Sequence, residues 1–195
     1  MYLYLQKMKE LDILLLMTRF IDKSGSVFAH GRRVAGIACA MAKKMGYCDE
    51  GIKHIHCAAV VHDIGKIDVP QEIVTKPGGL SGHEIAIIRK HPELGCFLLK
   101  DTKPESIVAE VALQHHERMD GSGYPFGLCA RDIHPVARIV AVADVIDAMT
   151  SLQVYRPALS MHDALRELMR NRGSLYDAGV VDVSVSLFER GEYHV

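Results

Sequence analysis

Apolar residues recur at three- and four-residue spacing along almost the whole chain, and this periodicity constrains the fold more than any other feature of the sequence. One stripe contains Ile37 and Met41, and another contains Val136 and Ile139. Such spacing is typical of amphipathic helices, whereas the two-residue alternation of strands is hard to find. The valine-rich stretch 180–187 favours a strand locally, but its context indicates a helix. We therefore predict an all-α protein.

Capping residues and prolines predict where several helices begin and end. Ser81 followed by Glu84 is the pattern of a capping box. Pro92 suits the first turn of a helix, and Gly46 is typical of the position after a helix C-terminus. Another helix is expected over about residues 50–62. No repeat, linker or low-complexity tract interrupts these elements, which indicates a single domain.

The composition excludes several classes of protein. A chain of 195 residues can bury a sizeable core without disulfides. With 23 basic against 24 acidic residues, it has no general attraction for DNA or for an anionic membrane. No apolar run is long enough to insert into a bilayer, and no signal pattern is present. The 5 cysteines lack C-x-x-C spacing, which indicates reduced thiols and a cytoplasmic location.

Histidines and aspartates continue the apolar faces or stand at the helix ends. A single buried histidine is usually a hydrogen-bonded core residue. A larger group of buried imidazoles and carboxylates needs compensation, which divalent metal ions supply. The candidate metal ligands are His30, His62, Asp63, His91, His115, His116 and Asp144.

The spacing of these residues favours two metal ions over one. Adjacent helical side chains point about 100° apart, so His62 and Asp63 would reach a single ion only with strain. We assign to the first ion His30, His62, Asp63 and Asp144. We assign to the second ion a bridging Asp63 with His91, His115 and His116. Such an ion pair can hold a hydroxide between its members and orient a phosphate for in-line attack.

The order and spacing of the motifs resemble the HD-GYP domain, a branch of the HD metal-dependent phosphohydrolase superfamily. The motifs are His30 followed by RVAGIA, then HDIGKIDVP, KPGGLSGHE, RKHPELG, HHERMDGSGYP, ARIVAVADVIDAMTS and YRPALS. This resemblance covers about residues 27–188. It implies a single HD-type helical bundle domain with a metal centre in the bundle core.

The function that the resemblance implies is a phosphodiesterase that hydrolyses cyclic di-GMP, or a related cyclic dinucleotide. The products would be a linear dinucleotide, GMP or both, formed by attack of a metal-bridged hydroxide. Two divalent ions, iron or manganese, are the expected cofactors. Two alternatives stay open: an HD-type phosphohydrolase of other nucleotides, and a weakly active sensor or docking module for cyclic dinucleotides.

The resemblance also assigns catalytic and substrate-binding residues. Asp63 and Lys66 are the candidate catalytic residues, and the ammonium of Lys66 is expected to contact the scissile phosphate. Arg156 matches a phosphate-binding position, and Tyr155 matches a position where an aromatic ring can stack on a base.

The loop that names the family contributes further substrate-binding candidates, which are Gly123, Tyr124 and Pro125. The resemblance suggests that this loop shapes the entrance of the site. It also leaves open a docking surface for diguanylate cyclase domains.

Two positions depart from the family pattern. Ser26 replaces a glutamate that helps some members to hold a third ion, so we expect a binuclear centre. Gln153 replaces an arginine of the substrate segment, which removes a charged phosphate contact worth about 1.5–3 kcal/mol. Weaker binding or a different cyclic dinucleotide is therefore open.

The expected domain organisation has three parts. Residues 1–22 form an N-terminal helix, residues 23–190 the HD-GYP domain and residues 191–195 a tail. The N-terminal helix could pack on the core, link to an absent upstream domain or pair between subunits, which leaves a homodimer open.

Overall fold

The computed structural model describes residues 25–100, 107–152, 158–189, 191 and 193. Within these ranges the chain forms α-helices, a 3-10 turn at Ile64–Asp68 and no β-strand, which confirms the all-α prediction. The helices are α1 (Gly25–Lys44), α2 (Asp49–Val61), α3 (Gln71–Val74), α4 (Gly82–Ile88), α5 (His91–Leu99), α6 (Ile107–Gln114), α7 (Pro135–Thr150), α8 (Met161–Arg170) and α9 (Ala178–Glu189). None of them is both long enough and apolar enough to cross a bilayer. The helix expected over residues 1–22 lies outside the described ranges.

The capping signals of the sequence operate as predicted. The Ser81 hydroxyl accepts a hydrogen bond from the Glu84 backbone at 3.3 Å, and the Glu84 carboxylate accepts one from the Ser81 backbone at 2.7 Å. Pro92 lies in the first turn of α5. Gly46 follows α1 with a φ of 84°, a conformation that glycine adopts without steric cost.

The core lies between α1, α2, α6 and α7, which pack against one another. Ile37, Ile55, Val111 and Ile139 are almost completely buried there. Helix α9 covers this bundle and buries Val181 completely. The valine-rich segment is thus helical, as its context indicated, because burial of an apolar face outweighs local β preference.

The chain turns sharply where α2 ends. The helix ends at Val61, one residue before its expected end, and the 3-10 turn Ile64–Asp68 follows. Gly65 in this turn lies so close to α5 that an added Cβ would overlap the His91 carbonyl oxygen and lie 2.5 Å from the Gly95 nitrogen. The contact brings the segment that carries His62 and Asp63 directly against the helix that begins with His91.

Candidate metal centre

The bundle brings all the candidate metal ligands together. His30 lies in the second turn of α1, and His91 begins α5. His62 and Asp63 lie between α2 and the 3-10 turn. The remaining ligands are His115 and His116, which follow α6, and Asp144, which lies within α7.

The donor atoms form two groups, in each of which the atoms lie within 4.8 Å of one another. The first cluster consists of His30, His62 and Asp144. The second cluster consists of Asp63, His91, His115 and His116. These groups match the two ligand sets that we assigned from the sequence, apart from the shared position of Asp63.

Asp63 lies between the two clusters, with one carboxylate oxygen towards each. Its Oδ1 atom is 3.1 Å from Nε2 of His91 and 3.6 Å from Nε2 of His115. Its Oδ2 atom is 3.5 Å from Nε2 of His62 and 3.8 Å from Nε2 of His30. The side chain is therefore placed to bridge two cations.

Backbone carbonyl groups fix the orientation of the buried histidines. Because a carbonyl oxygen only accepts hydrogen bonds, each Nδ1 atom carries a proton, and in the neutral ring the Nε2 atom then presents its lone pair. The donors are His62, His91 and His115, and the respective acceptors are the carbonyl oxygens of Ala59, Ile88 and Ala112, at 2.7, 2.7 and 3.0 Å.

The resulting arrangement fits divalent cations. The Nε2 atoms of His91 and His115 lie 3.2 Å apart, so two lone pairs face each other. Among the described residues, Nε2 of His62 and Oδ1 of Asp63 are buried without a hydrogen-bond partner. Unpaired buried polar atoms are costly, and metal coordination would satisfy them. Imidazole and carboxylate donors suit transition metals such as iron and manganese.

The pKa values of three of the enclosed histidines favour the form that binds metal. Burial lowers the pKa of His62 to about 4. Burial also lowers the pKa of His91 and that of His116, which falls well below its usual range. These imidazoles are therefore neutral near pH 7, the state in which a ring nitrogen can bind a metal ion.

The charged groups compensate one another. Burial lowers the pKa of His30, but its hydrogen bonds with Asp144 and Asp147 outweigh that effect and raise the value to about 10. Burial raises the pKa of Asp63, whereas the charge of Lys66 and the neighbouring His62 hold it well below its usual range. The carboxylates are thus ionised over the physiological pH range.

Asp147 holds His30 in place from outside the first cluster. The Asp147 side chain is fully buried, and its Oδ2 atom lies 2.6 Å from Nδ1 of His30. It also accepts hydrogen bonds from Nε of Arg33 at 2.7 Å and from the Ser151 hydroxyl at 3.1 Å. Arg33 was not among the residues predicted from the sequence, although its spacing of three residues from His30 places both on one helical face.

Lys66 contacts Asp63 directly. Residues three apart are aligned in a 3-10 helix, and the Lys66 ammonium donates to Oδ2 of Asp63 at 2.5 Å. Both residues line a cavity of about 620 Å³, together with His30, His116 and Asp144. This volume is within the usual range of small-molecule sites.

The loop containing Gly123, Tyr124 and Pro125 reaches the metal centre through the Tyr124 ring. The Tyr124 ring stacks on the His116 ring, with 4.6 Å between centroids and 21° between planes. Among the described residues that line the cavity, none comes from these three positions. Their role in substrate binding stays a prediction, and Tyr155, Arg156 and Gln153 lie outside the described residues.

Glu117 fixes this loop and was likewise not among the residues predicted from the sequence. Its buried carboxylate accepts hydrogen bonds from the backbone of Phe126 at 2.8 Å and of Leu128 at 2.9 Å. An added Cβ at Gly123 would overlap the Glu117 backbone. The only sequence signal was an acidic residue directly after the histidine pair.

Comparison with known proteins supports these observations. The HD domain family model matches residues 16–180. The cyclic di-GMP phosphodiesterase response regulator RpfG of Xanthomonas campestris is 40% identical over 177 residues, which are 89% of this chain and 47% of that protein. The 3'3'-cGAMP-specific phosphodiesterase 1 of Vibrio cholerae is 38% identical over 90% of this chain and 41% of its own length. This chain thus spans less than half of either relative.

A solved structure shows the same fold. Bd1817, described as a HDG"Y"P protein from Bdellovibrio bacteriovorus, superposes with a TM-score of 0.70. The superposition covers 84% of this chain and 52% of that chain at 24% sequence identity. At this level of identity the likeness concerns the fold alone.

Proposed function

This chain belongs to the HD domain family, as the motifs implied, and from that membership we propose that it is a metal-dependent phosphodiesterase acting on cyclic di-GMP or a related cyclic dinucleotide. The products would be a linear dinucleotide, GMP or both. The observation that carries the proposal is the position of Asp63, whose two oxygens face separate groups of metal-competent side chains. The relatives named for cyclic di-GMP and for 3'3'-cGAMP support this substrate class.

Each part of the centre has a proposed task. His30, His62 and Asp144 would hold one cation, and the second cluster would hold the other, with Asp63 shared between them. Two divalent cations, iron or manganese in our proposal, would supply the Lewis acidity that activates water and stabilises charge on the phosphate. The Lys66 ammonium is available at the cavity wall to contact the scissile phosphate. Ser26 also lines this cavity, and because it offers no carboxylate there we propose two cations and no third.

The loop and the N-terminal segment are the proposed contacts with other proteins. Phe126 follows Pro125 and is 62% exposed, which gives the loop an apolar surface suited to a partner such as a diguanylate cyclase domain. A homodimer formed through residues 1–22 stays a prediction.

The free cysteines support a cytoplasmic location.

Turnover of defined nucleotides tests the proposal. Protein purified without oxygen and loaded with iron or manganese is incubated with cyclic di-GMP, 3'3'-cGAMP and nucleoside triphosphates, and the products are separated by chromatography. We expect hydrolysis of at least one cyclic dinucleotide. Hydrolysis of the triphosphates alone would indicate another kind of phosphohydrolase, and binding without turnover would indicate a sensor or docking module.

Metal content tests the proposed division of the ligands. Asp144→Ala should lose the cation of the first cluster, and His91→Ala should lose that of the second, because each removes a donor from one cluster only. Element analysis of each purified variant should therefore give about half of the wild-type metal content. Three tightly held ions in the wild type would contradict the binuclear centre.

A further inference from the structure

The cavity beside the metal centre is lined by a lysine side chain that has no role in the proposed chemistry. Among the described residues, the cationic side chains that line this cavity are those of Arg33, Lys66 and Lys76. Arg33 is bound to Asp147, and Lys66 to Asp63, so both belong to the surroundings of the metal centre. Lys76 is paired instead with Glu84, which lies in α4, outside both clusters.

Lys76 lies on a wall of its own. It belongs to the segment between α3 and α4, whose residues Thr75, Gly78 and Leu80 also line the cavity, as does Ile73 of α3. The metal-competent lining residues come from α1, α7 and the segments that directly follow α2 and α6. A ligand that fills the cavity can therefore contact a metal site and Lys76 at the same time.

The proposed class of substrate carries a group that can bind to this wall. A cyclic dinucleotide carries two phosphodiester groups on opposite sides of its ring, and only one of them can be at the metal centre during a given attack. The other retains its negative charge and needs a counter-ion elsewhere in the cavity. Resting on the proposed function, we propose that Lys76 binds this second, unreacted phosphate and thereby selects cyclic dinucleotides over smaller phosphodiesters.

The contacts of Lys76 suit this task. Its ammonium donates to both carboxylate oxygens of Glu84, at 2.8 and 2.7 Å. An ammonium has three donors; within the described ranges these contacts occupy two of them, which holds the group in place and leaves the third for a ligand. Glu84 is fixed in turn by the capping box with Ser81. The Lys76 side chain is 37% exposed, which makes it accessible from the cavity.

A purely structural role predicts a different pattern of mutant effects. If the Lys76–Glu84 pair only fastened the wall segment, breaking it from either side would have the same consequence. If Lys76 binds phosphate, Glu84→Gln keeps the cation and removes its competing carboxylate. The glutamine can still accept the backbone hydrogen bond of Ser81, so the cap of α4 is retained.

The test measures affinity separately from turnover. Manganese-loaded full chain is titrated calorimetrically with a hydrolysis-resistant phosphorothioate analogue of cyclic di-GMP. We expect Lys76→Ala to weaken binding about tenfold, Lys76→Arg to retain most of the affinity, and Glu84→Gln to bind as tightly as wild type or more tightly. The matched control is Lys53→Ala, because Lys53 is paired with Glu50 but does not line the cavity; its affinity should match wild type.

Turnover provides the second readout. The loss caused by Lys76→Ala in kcat/KM should be about tenfold greater for cyclic di-GMP than for bis(4-nitrophenyl) phosphate, which has a single phosphodiester. Thermal unfolding of each variant shows whether it is folded, and Lys76→Arg provides the decisive comparison if the alanine variant is not.

The outcomes separate this inference from the proposed function. Wild-type affinity in Lys76→Ala, or equal weakening in Glu84→Gln, would overturn the role of Lys76 while hydrolysis of cyclic di-GMP still upheld the phosphodiesterase. Lys76-dependent binding without any hydrolysis would uphold the role of Lys76 and overturn the proposed phosphodiesterase activity. Absence of both binding and hydrolysis in the wild type would overturn both.

Discussion

At the scale of single residues, the site depends on a carboxylate that is costly to bury. The Asp63 side chain is 2% exposed and contacts imidazoles from both clusters. A charge in such a position needs partners of opposite sign. Lys66 supplies one positive charge at 2.5 Å, and two cations would supply the rest. The same exclusion of water that makes the Asp63 charge costly to bury would strengthen its interaction with a metal ion.

Asp147→Asn should weaken the first metal site selectively. The substitution removes the charge that orients His30 through the 2.6 Å contact, and loss of such an outer partner typically lowers metal affinity 10–100-fold. We expect a loss of about this size for one of the two cations, measured by competition with a chelator.

The matched control is Ser151→Ala, which removes another hydrogen bond to Asp147 but leaves His30 untouched. It should change the metal affinity much less. If Asp147→Asn lowered the affinity for both cations equally, Asp147 would support the whole centre and not His30 in particular.

Local sequence patterns could predict the metal-competent residues but not the long-range contacts that support them. His30 stands four residues before Val34 and His115 three after Ala112, so helical periodicity alone places both on inward faces. Arg33 and Asp147 are 114 residues apart, and no local pattern shows that they meet. The pairing of Lys76 with Glu84 likewise depends on the path of the intervening loop.

At the scale of elements, close backbone contacts set the distance between the ligands. The 3-10 turn carries Lys66 and follows Asp63, whereas α5 carries His91, and Gly65 lies at their contact. Capping signals located the N-terminal ends of α4 and α5 correctly from the sequence. The contact between the turn and α5 could not be located in that way, because it depends on the absence of one side chain.

Gly65→Ala should destabilise the fold and the metal centre together. Its Cβ would overlap the His91 carbonyl oxygen, so the turn and α5 must move apart. We expect a loss of about 1–3 kcal/mol in the free energy of unfolding, measured by urea denaturation, together with a lower metal content. Gly79→Ala is the control, since an added Cβ there meets nothing within 4 Å. A Gly65→Ala variant as stable as that control would refute the close contact.

Glu117→Gln should loosen the loop that stacks on His116. The carboxylate accepts two backbone hydrogen bonds, whereas an amide has one oxygen and would direct its NH2 group at the other donor. We expect a loss of about 1–3 kcal/mol in the free energy of unfolding and faster hydrogen exchange at the amides of Phe126 and Leu128. The exposed Glu93→Gln should change neither quantity, and unchanged exchange in Glu117→Gln would argue against its role in fixing the loop.

At the scale of the whole molecule, the apolar core and the metal centre have separate roles. Ile37, Ile55, Val111 and Ile139 form a continuous core between four helices. Four of the candidate ligands instead line one cavity, namely His30, Asp63, His116 and Asp144. A chain of 195 residues does not need metal in order to bury most of its apolar surface. The helices should therefore form without metal, although the facing lone pairs and the buried charges would then be uncompensated.

Removal of metal should consequently lower the stability of the protein without unfolding it. A ligand that binds only the folded state stabilises it by about 2.7 kcal/mol when its concentration is 100 times its Kd. We expect chelator-treated protein to keep its helical circular dichroism and to show a Tm that rises with added manganese. In the control, the doubly substituted Asp144→Ala, His91→Ala variant, the Tm should respond weakly to manganese because each cluster then lacks a donor. Loss of helical signal on chelation would instead assign the metal a structural role, and a Tm independent of manganese in the wild type would argue against a metal centre at this cavity.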